Sequence, residues 1–345
     1  MDHLSDKSLG RLRDLVDLPD LTGTKYQMVR PIAGGGMGSV YLVEDSELKR
    51  EVALKVLTTP LDSEPLYARM VREAQIIAHL EHPAIVPIHD VGRLPDGRPF
   101  YIMKYVQGET LTTHISRDIS LTDKLVIAQK LCQAIGFAHS RGVIHRDLKP
   151  ENVMVGSFGE VLVMDWGTAR FIANAPSDSS SHTDAVSNDK TGEGAIIGTL
   201  SYISPEQAAG DQSQVDHRTD IFGLGAVLYF MLTKQPLYTA DSQESATRSA
   251  LDCRFVTPRL REPSIPKPLG AICQKALCKD RSSRYQTAQE FESDLARYLA
   301  GEPISAYREN VFEQAGRWLG RHRFVVYMVL AYIVLRIVIF FWLGR

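Results

Sequence analysis

Short β-prone runs punctuate the first hundred residues after an N-terminal extension. One begins at Tyr26, a second is Tyr41-Leu42-Val43, a third alternates as Val52-Ala53-Leu54-Lys55-Val56-Leu57, and Phe100-Tyr101-Ile102-Met103-Lys104-Tyr105-Val106 reads as a buried strand. Between them, residues 66–80 have helical periodicity, with Met70, Glu73 and Ile77 on one face. The pattern then turns mainly helical. Residues 121–141 predict a helix that ends at Gly142, a residue suited to a C-cap. Val153-Met154-Val155 and Val161-Leu162-Val163 predict a hairpin around residues 156–160. Residues 221–232, opened by Asp220, are too few to cross a bilayer and predict a buried core helix. A β-rich part followed by a helical part gives an α+β chain with two lobes.

The edges of this pattern differ from its middle. In residues 1–24, Leu9, Leu12, Leu15 and Val16 fall at helical spacing before Pro19 and Gly23, which predicts a short amphipathic helix against the domain that follows. Residues 168–197 are rich in Ser, Thr, Asp and Asn, most of all 177–191, and read as a flexible loop. Residues 324–343 hold one charge, Arg336, among twenty residues. As a helix they are about 30 Å long, the thickness of the hydrocarbon core. Arg336 near the centre costs about 2.5–3.5 kcal/mol, while the Leu, Ile, Val and Phe residues contribute about −4 to −8 kcal/mol together, so a transmembrane helix is expected. Arg317, Arg321 and Arg323 flank its start, which places the preceding domain in the cytoplasm, with Trp318 as an interfacial anchor.

Composition narrows the function only locally. Lys and Arg number 39 against 41 Asp and Glu, so no global field favours nucleic acid. Cys132, Cys253, Cys273 and Cys278 form no C-x-x-C pair or metal cluster and suit a reducing compartment. Asp2 and Asp6 stand where an export signal would be basic, so no cleaved signal is expected.

The candidate chemistry centres on His145-Arg146-Asp147-Leu148-Lys149-Pro150-Glu151-Asn152. Pro150 disfavours helix and extends Lys149, so these side chains sit on a loop that can aim them at one point. Asp147 could accept a hydroxyl proton, Lys149 could neutralise charge on a transferred group, and Asn152 could hold a metal through its carbonyl oxygen. A solvated charged turn would explain this octet alone but not the order of the other pieces. Upstream, Ile32-Ala33-Gly34-Gly35-Gly36-Met37-Gly38-Ser39-Val40 is a Gly-rich hairpin whose backbone N–H groups could approach phosphate. The carboxylate of Glu73, turned with the apolar face of its helix, needs a cation, and Lys55 is the natural one. Downstream come Asp165-Trp166-Gly167 and Gly198-Thr199-Leu200-Ser201-Tyr202-Ile203-Ser204-Pro205-Glu206.

Taken in this order, these segments resemble the signature set of eukaryotic-like (Hanks-type) serine/threonine protein kinases of bacterial type, over roughly residues 25–300. Three positions depart from the pattern: Ala33 for the first Gly, Trp166 for Phe, and Ser204 for Ala. The resemblance implies a protein kinase fold with a β-rich lobe at 25–106 and a helical lobe at 107–300, the latter including an activation segment at 165–206. A basic juxtamembrane segment at 301–323 and the membrane helix at 324–343 follow. It implies ATP with Mg²⁺, or Mn²⁺, as cofactors. Lys55 would pair with the α- and β-phosphates, with Glu73 as its partner. Val40 and Ala53 would roof the adenine and Met154 floor it. Met103 would be the gatekeeper, and the Lys104 carbonyl and Val106 N–H would meet the adenine edge. Asp165 and Asn152 would hold the metal, Asp147 would act as base, and Lys149 with Thr199 would mark serine/threonine specificity. Arg146 would grip a phosphate on Thr191, or on Thr183 or Ser187. Glu206 would pair with Arg284, and Asp220 would brace the catalytic loop.

The expected partners are proteins bearing Ser or Thr, the membrane through residues 324–343, and a second copy for phosphorylation in trans, but no nucleic acid. No external sensor domain is expected after the span. Two rivals are open: a pseudokinase serving as a nucleotide-sensing membrane scaffold, and a small-molecule kinase, which would leave residues 198–206 unexplained.

Overall fold

The computed structural model describes residues 18–35, 38–57, 64–172, 200–239, 242–321 and 323–343. The helix expected within residues 1–24, at Leu9 to Val16, therefore lies outside the described residues. The alternating runs form strands β1 (Tyr26–Gly35), β2 (Gly38–Asp45) and β3 (Arg50–Val56), followed by helix α1 (Glu64–Ala78), β4 (Ile88–Arg93) and β5 (Pro99–Lys104). The five strands make one antiparallel sheet in the order β1-β2-β3-β5-β4. Period-two alternation divides β3 between the faces of the sheet. Val52, Leu54 and Val56 join Tyr26, Tyr41, Phe100 and Ile102 in one cluster. Ala53 faces the other way, with Tyr101, Met103, and Met70 and Ala74 of α1. Lys55 shares that second face by register, so the strand aims its amine at α1. Helix α1 starts and ends two residues earlier than its periodicity suggests, yet Met70, Glu73 and Ile77 are all buried.

The second lobe opens with β6 (Gly108–Thr110), α2 (Leu111–Ser116) and α3 (Leu121–Ser140). Thr110 and Ser120 cap the two helices by accepting hydrogen bonds from the Thr113 and Asp123 N–H groups. After α3, Gly142 takes a φ of +73°. Then follow β7 (Val143–Ile144), a 3₁₀ turn (Pro150–Asn152), β8 (Val153–Gly156), β9 (Val161–Val163) and β10 (Arg170–Phe171). Helices α4 (Pro205–Ala208), α5 (His217–Thr233), α6 (Gln243–Asp252), α7 (Pro258–Arg261), α8 (Lys267–Ala276) and α9 (Ala288–Leu299) complete the lobe. The chain continues into α10 (Val311–Arg321) and α11 (Arg323–Leu343).

Helix α5 is the axle of this lobe: every residue from Thr219 to Leu232 is buried. A helix apolar on all sides needs neighbours on all sides, and α3, α8 and the loop that carries Leu148 supply them. Gly225 permits the closest of these approaches, since a Cβ there would come within 2.7 Å of the Ala276 Cβ. The lobes are joined where the Val163 N–H donates to the Ala84 carbonyl at 2.8 Å. The architecture is thus two-lobed, β-rich before the cleft and helical after it.

Glu206 and Arg284 are buried together, at 8% and 2% exposed. Two N–H groups of Arg284 reach the two carboxylate oxygens at 2.7 and 2.8 Å, and the remaining donors reach the carbonyls of Cys278, Arg218 and Lys279. Thr219 donates a further bond to Glu206. Burial pushes the Glu206 carboxyl up, but the hydrogen bonds and charge of Arg284 pull it below its ordinary range.

Counting only positions whose side chains are described, no helix is long and apolar enough to cross a membrane. The backbone of α11 runs over 21 residues, and most of its described apolar side chains, Phe324, Met328, Leu330, Val334 and Trp342 among them, stand exposed.

Removing the Arg284 guanidinium leaves a buried carboxylate, so Arg284→Ala should lower the unfolding free energy by about 3–5 kcal/mol in urea titrations. Because folding favours charged Glu206, the pair's stabilisation is complete above the ordinary Glu value of 4.5 and fades as pH falls through the lower folded value. The Arg284→Ala variant should lose that part of the acid-side slope; an unchanged slope and stability would show the pair to be dispensable.

Candidate active site

The cleft between the lobes is roofed by the β1–β2 hairpin. Ala33 pairs with Val40, Gly34 with Ser39 and Gly35 with Gly38; Gly36 and Met37 lie outside the described residues. Gly38 answers a close approach, because a Cβ there would lie 2.6 Å from the Val56 carbonyl oxygen. Ile32 is exposed near the mouth of the hairpin. Below it, Val40, Ala53, Met103, Val106 and Met154 meet in one apolar cluster that also takes in Leu162 of the helical lobe. The backbone N–H of Lys104 donates to the Pro87 carbonyl. The cleft thus has an apolar lining next to a glycine-rich backbone.

At the back of the cleft, the Lys55 amine donates to Glu73 at 2.9 Å and lies 3.6 Å from Asp165. Burial opposes charge on Lys55, but Tyr101, Glu73 and Asp165 outweigh it and raise the amine well above its usual range. The Tyr101 hydroxyl also donates to Glu73, at 2.8 Å. Asp165 opens to the cleft, with about half its side chain exposed. Protein atoms crowd it closely enough to disfavour its charge, yet Lys55, His145 and Lys149 hold its carboxyl below the usual range. Trp166 is fully buried and meets His145 edge-on at 4.6 Å, in the same core as Ile77.

On the opposite wall, Asp147 accepts hydrogen bonds from Lys149 at 2.9 Å and from the Asn152 amide at 3.0 Å. The Asn152 amide also donates to the Asp147 carbonyl, so both its N–H groups are committed and its carbonyl oxygen is the atom that could meet a cation. Among the described residues no group of three or more His, Cys, Asp or Glu could hold a metal. A cation here would depend on Asp165, Asn152 and oxygens brought by a ligand.

Asp220, in the first turn of α5, holds this wall in place. It accepts from the backbone N–H groups of His145 and Arg146, each at 2.8 Å, and from His139 Nε2 at 2.8 Å. Burial disfavours its charge, but the bond and charge of His139 dominate and lower its carboxyl. Arg146 takes a φ of +72°, and its side chain reaches the Thr168 carbonyl and Gln212. Its own carbonyl accepts from Gln207 at 2.6 Å.

The structure thus gathers Lys55, Glu73, Asp165, Asp147, Lys149 and Asn152 about one cleft, with Val40, Ala53, Met103, Val106 and Met154 beside them. Glu206 and Arg284 stand apart in the helical lobe. Thr183, Ser187, Thr191 and Thr199 lie outside the described residues. Sequence reasoning missed Tyr101, His139 and Gln207. Tyr101 sits opposite Lys55 in the sheet register, but a tyrosine in an apolar strand carries no sign of a polar task. His139 and Gln207 act across 81 and 61 residues, and no local pattern signals such partners.

Residues 26–295 match the family model described as protein kinase domain. The chain is 40% identical over 294 residues to the serine/threonine-protein kinase PknB of Mycobacterium tuberculosis, covering 84% of this chain and 45% of that one. It is 33% identical over 298 residues to PknD of Protochlamydia amoebophila, covering 80% and 30%. The crystal structure of the Mycobacterium tuberculosis PknI kinase domain superposes with a TM-score of 0.58 at 25% identity, covering 80% of this chain and 96% of that one. The chain therefore spans less than half the length of the curated relatives it matches.

If Asp220 fixes the catalytic wall, Asp220→Asn must leave at least one buried donor short of its acceptor, at about 1–3 kcal/mol. The His145 and Arg146 amides should then exchange hydrogen roughly 5–150-fold faster. Unchanged exchange at both would remove Asp220 from this role.

Proposed function

The chain belongs to the protein kinase domain family, and on that premise we propose that it transfers the γ-phosphoryl group of ATP to serine and threonine hydroxyls of proteins while anchored in a membrane by α11. One observation carries the transfer: the closed Lys55–Glu73 pair faces the Asp147–Lys149–Asn152 constellation across one cleft.

Each group has a task that its surroundings favour. Lys55, held charged and oriented by Glu73 and Tyr101, takes the α- and β-phosphates. The backbone of Gly34, Gly35, Gly36, Met37, Gly38 and Ser39, between Ile32-Ala33 and Val40, covers the phosphates. Val40 and Ala53 lie over the adenine and Met154 beneath it, with Met103 at the back and the Lys104 carbonyl and Val106 N–H at its edge. Asp147 orients the substrate hydroxyl and accepts its proton, while Lys149 offsets charge on the transferring group. Asp165 and Asn152 offer only oxygen ligands, which suits Mg²⁺ or Mn²⁺ with the rest of its shell from phosphate and water; bound there, the cation supplies charge neutralisation on the phosphates.

The regulatory reading follows from Arg146. A phosphate on Thr191, Thr183 or Ser187, placed there by a second copy, would add about two negative charges for the guanidinium to grip. Thr199 together with Lys149 is the pattern of serine/threonine rather than tyrosine kinases. Glu206, Asp220 and Arg284 hold the frame.

Support for the anchor is the exposed apolar side chains along α11, Tyr327, Met328, Leu330 and Trp342 among them, and the arginines that precede it in the sequence, which orient the kinase domain to the cytoplasm.

Asp147→Asn should retain ATP binding while phosphate incorporation into the chain and into generic protein substrates falls about 10²–10⁴-fold. ATP binding by the wild type with no transfer would instead favour a scaffold. For the anchor, a chain ended after Arg308 keeps the Ser305 and Ala306 contacts to Asp294 and should move from the membrane to the soluble fraction. A full chain that is already soluble would sink this part of the proposal.

A further inference from the structure

The segment between the kinase domain and α11 is seated on the domain, not tethered loosely to it. Asp294 of α9 is 1% exposed and accepts from the Ser305 N–H at 2.8 Å, the Ser305 hydroxyl at 2.7 Å, the Ala306 N–H at 3.0 Å and the Tyr285 hydroxyl at 2.8 Å. Lys275 donates to Ser305 as well. A few residues on, Asn310 and Glu313 cap the start of α10 reciprocally: the Glu313 N–H donates to the Asn310 side chain at 2.8 Å, and the Asn310 N–H donates to the Glu313 carboxylate at 3.1 Å. The same carboxylate accepts from the Tyr307 hydroxyl at 3.0 Å and from Lys267 of α8 at 3.1 Å.

Seating Glu313 on the lobe decides which way α10 faces. Val311, Ala315 and Trp318 recur at helical spacing, with Phe312 beside them, on the side of the helix away from Glu313. Val311, Phe312 and Trp318 are 76%, 89% and 57% exposed. Arg317 and Arg321 are the basic residues of α10 in the sequence. The exposed apolar stripe therefore runs outward from the domain, and α11 begins two residues after the last residue of α10.

We propose that α10 lies in the plane of an anionic bilayer surface. Val311, Phe312, Ala315 and Trp318 enter the boundary between headgroups and acyl chains, and Arg317, Arg321 and Arg323 remain among the lipid phosphates. Two observations select lipid over a protein partner: the helix that carries the stripe leads directly into α11, whose described apolar side chains are largely exposed, and the one acid in the helix is already taken by Lys267 and Tyr307, leaving a cationic helix. The consequence is orientation. The docked linker sets the Lys267 side of the helical lobe toward the membrane and prevents the kinase domain from tumbling on a tether. This rests on α11 being a membrane span.

The chain has three tryptophans, Trp166, Trp318 and Trp342. In a full-length Trp342→Phe variant, fully buried Trp166 is shielded from lipid, so quenching by bilayer-borne bromine reports Trp318. The variant would be reconstituted in nanodiscs of phosphatidylglycerol or of phosphatidylcholine, each with lipid brominated near the headgroup. The proposal expects a blue-shifted, strongly quenched Trp318 emission in phosphatidylglycerol and weaker quenching in phosphatidylcholine. Adding Val311→Ser and Phe312→Ser should reduce the quenching several-fold while the chain stays in the disc. A chain that never enters the discs overturns the span and this proposal together. One that enters but leaves Trp318 unquenched overturns the interfacial helix alone, and a dimer in those discs would give the stripe to a second copy. Equal quenching in both lipids overturns the anionic preference.

Discussion

A single buried carboxylate, Asp220, carries the order of the catalytic wall. It stands in the first turn of α5, a helix whose every residue from Thr219 to Leu232 is buried, so the core of the helical lobe fixes its position. The positive end of the α5 dipole favours its charge, and three donors at 2.8 Å complete its shell. Two of those donors are consecutive backbone N–H groups of the loop that presents Asp147. Packing in the helical core is thereby converted into the position of a side chain in the cleft. The loop has little regular structure of its own to do this, since the 3₁₀ turn at Pro150–Asn152 is its only regular element.

The opposite wall is ordered by a different device. Lys55 sits on a strand and Glu73 on a helix that packs against that strand, and the pair closes at 2.9 Å with Tyr101 donating to the same carboxylate. Sheet register places Tyr101 beside Lys55, so the neighbouring strand helps to define where the amine points. Asp165 is the hinge between the two devices, 3.6 Å from Lys55 and one residue before the buried Trp166. Replacing Phe by the larger indole leaves this anchor packed against His145, whose own ring accepts from the Asp147 N–H. One histidine thus touches the Asp147 backbone on one side and Trp166, the residue after Asp165, on the other.

Much of this was legible in the chain. Strand and helix runs were readable because alternation and helical spacing reflect which face is buried, and Glu73 betrayed its partner by facing inward among Met70 and Ile77. The motif residues were readable because their chemistry needs particular types at particular spacings. Tyr101, His139 and Gln207 were not, because each acts through a partner that only the tertiary fold brings near. The same holds for Asp294: its burial depends on Ser305 and Ala306 returning to α9, so the domain does not end where its last helix does. Nothing in the spacing of those residues distinguishes a docked strap from a linker.

Two residues beside the reacting centre, Arg146 and Asp165, hold left-handed backbone with φ of +72° and +54°. Neither is glycine, so each conformation costs about 1–3 kcal/mol and persists only if its surroundings over-determine it. Around Arg146 they do: its N–H is held by Asp220, its carbonyl by Gln207, and its guanidinium by Gln212 and the Thr168 carbonyl. Around Asp165 a different set serves: the Lys55 amine lies 3.6 Å from the carboxylate, the Gly167 N–H donates to it, and the buried Trp166 ring anchors the chain one residue on. The two strained positions are therefore held by different parts of the fold, Arg146 through Asp220 and the helical core, and Asp165 in part through the strand that carries Lys55.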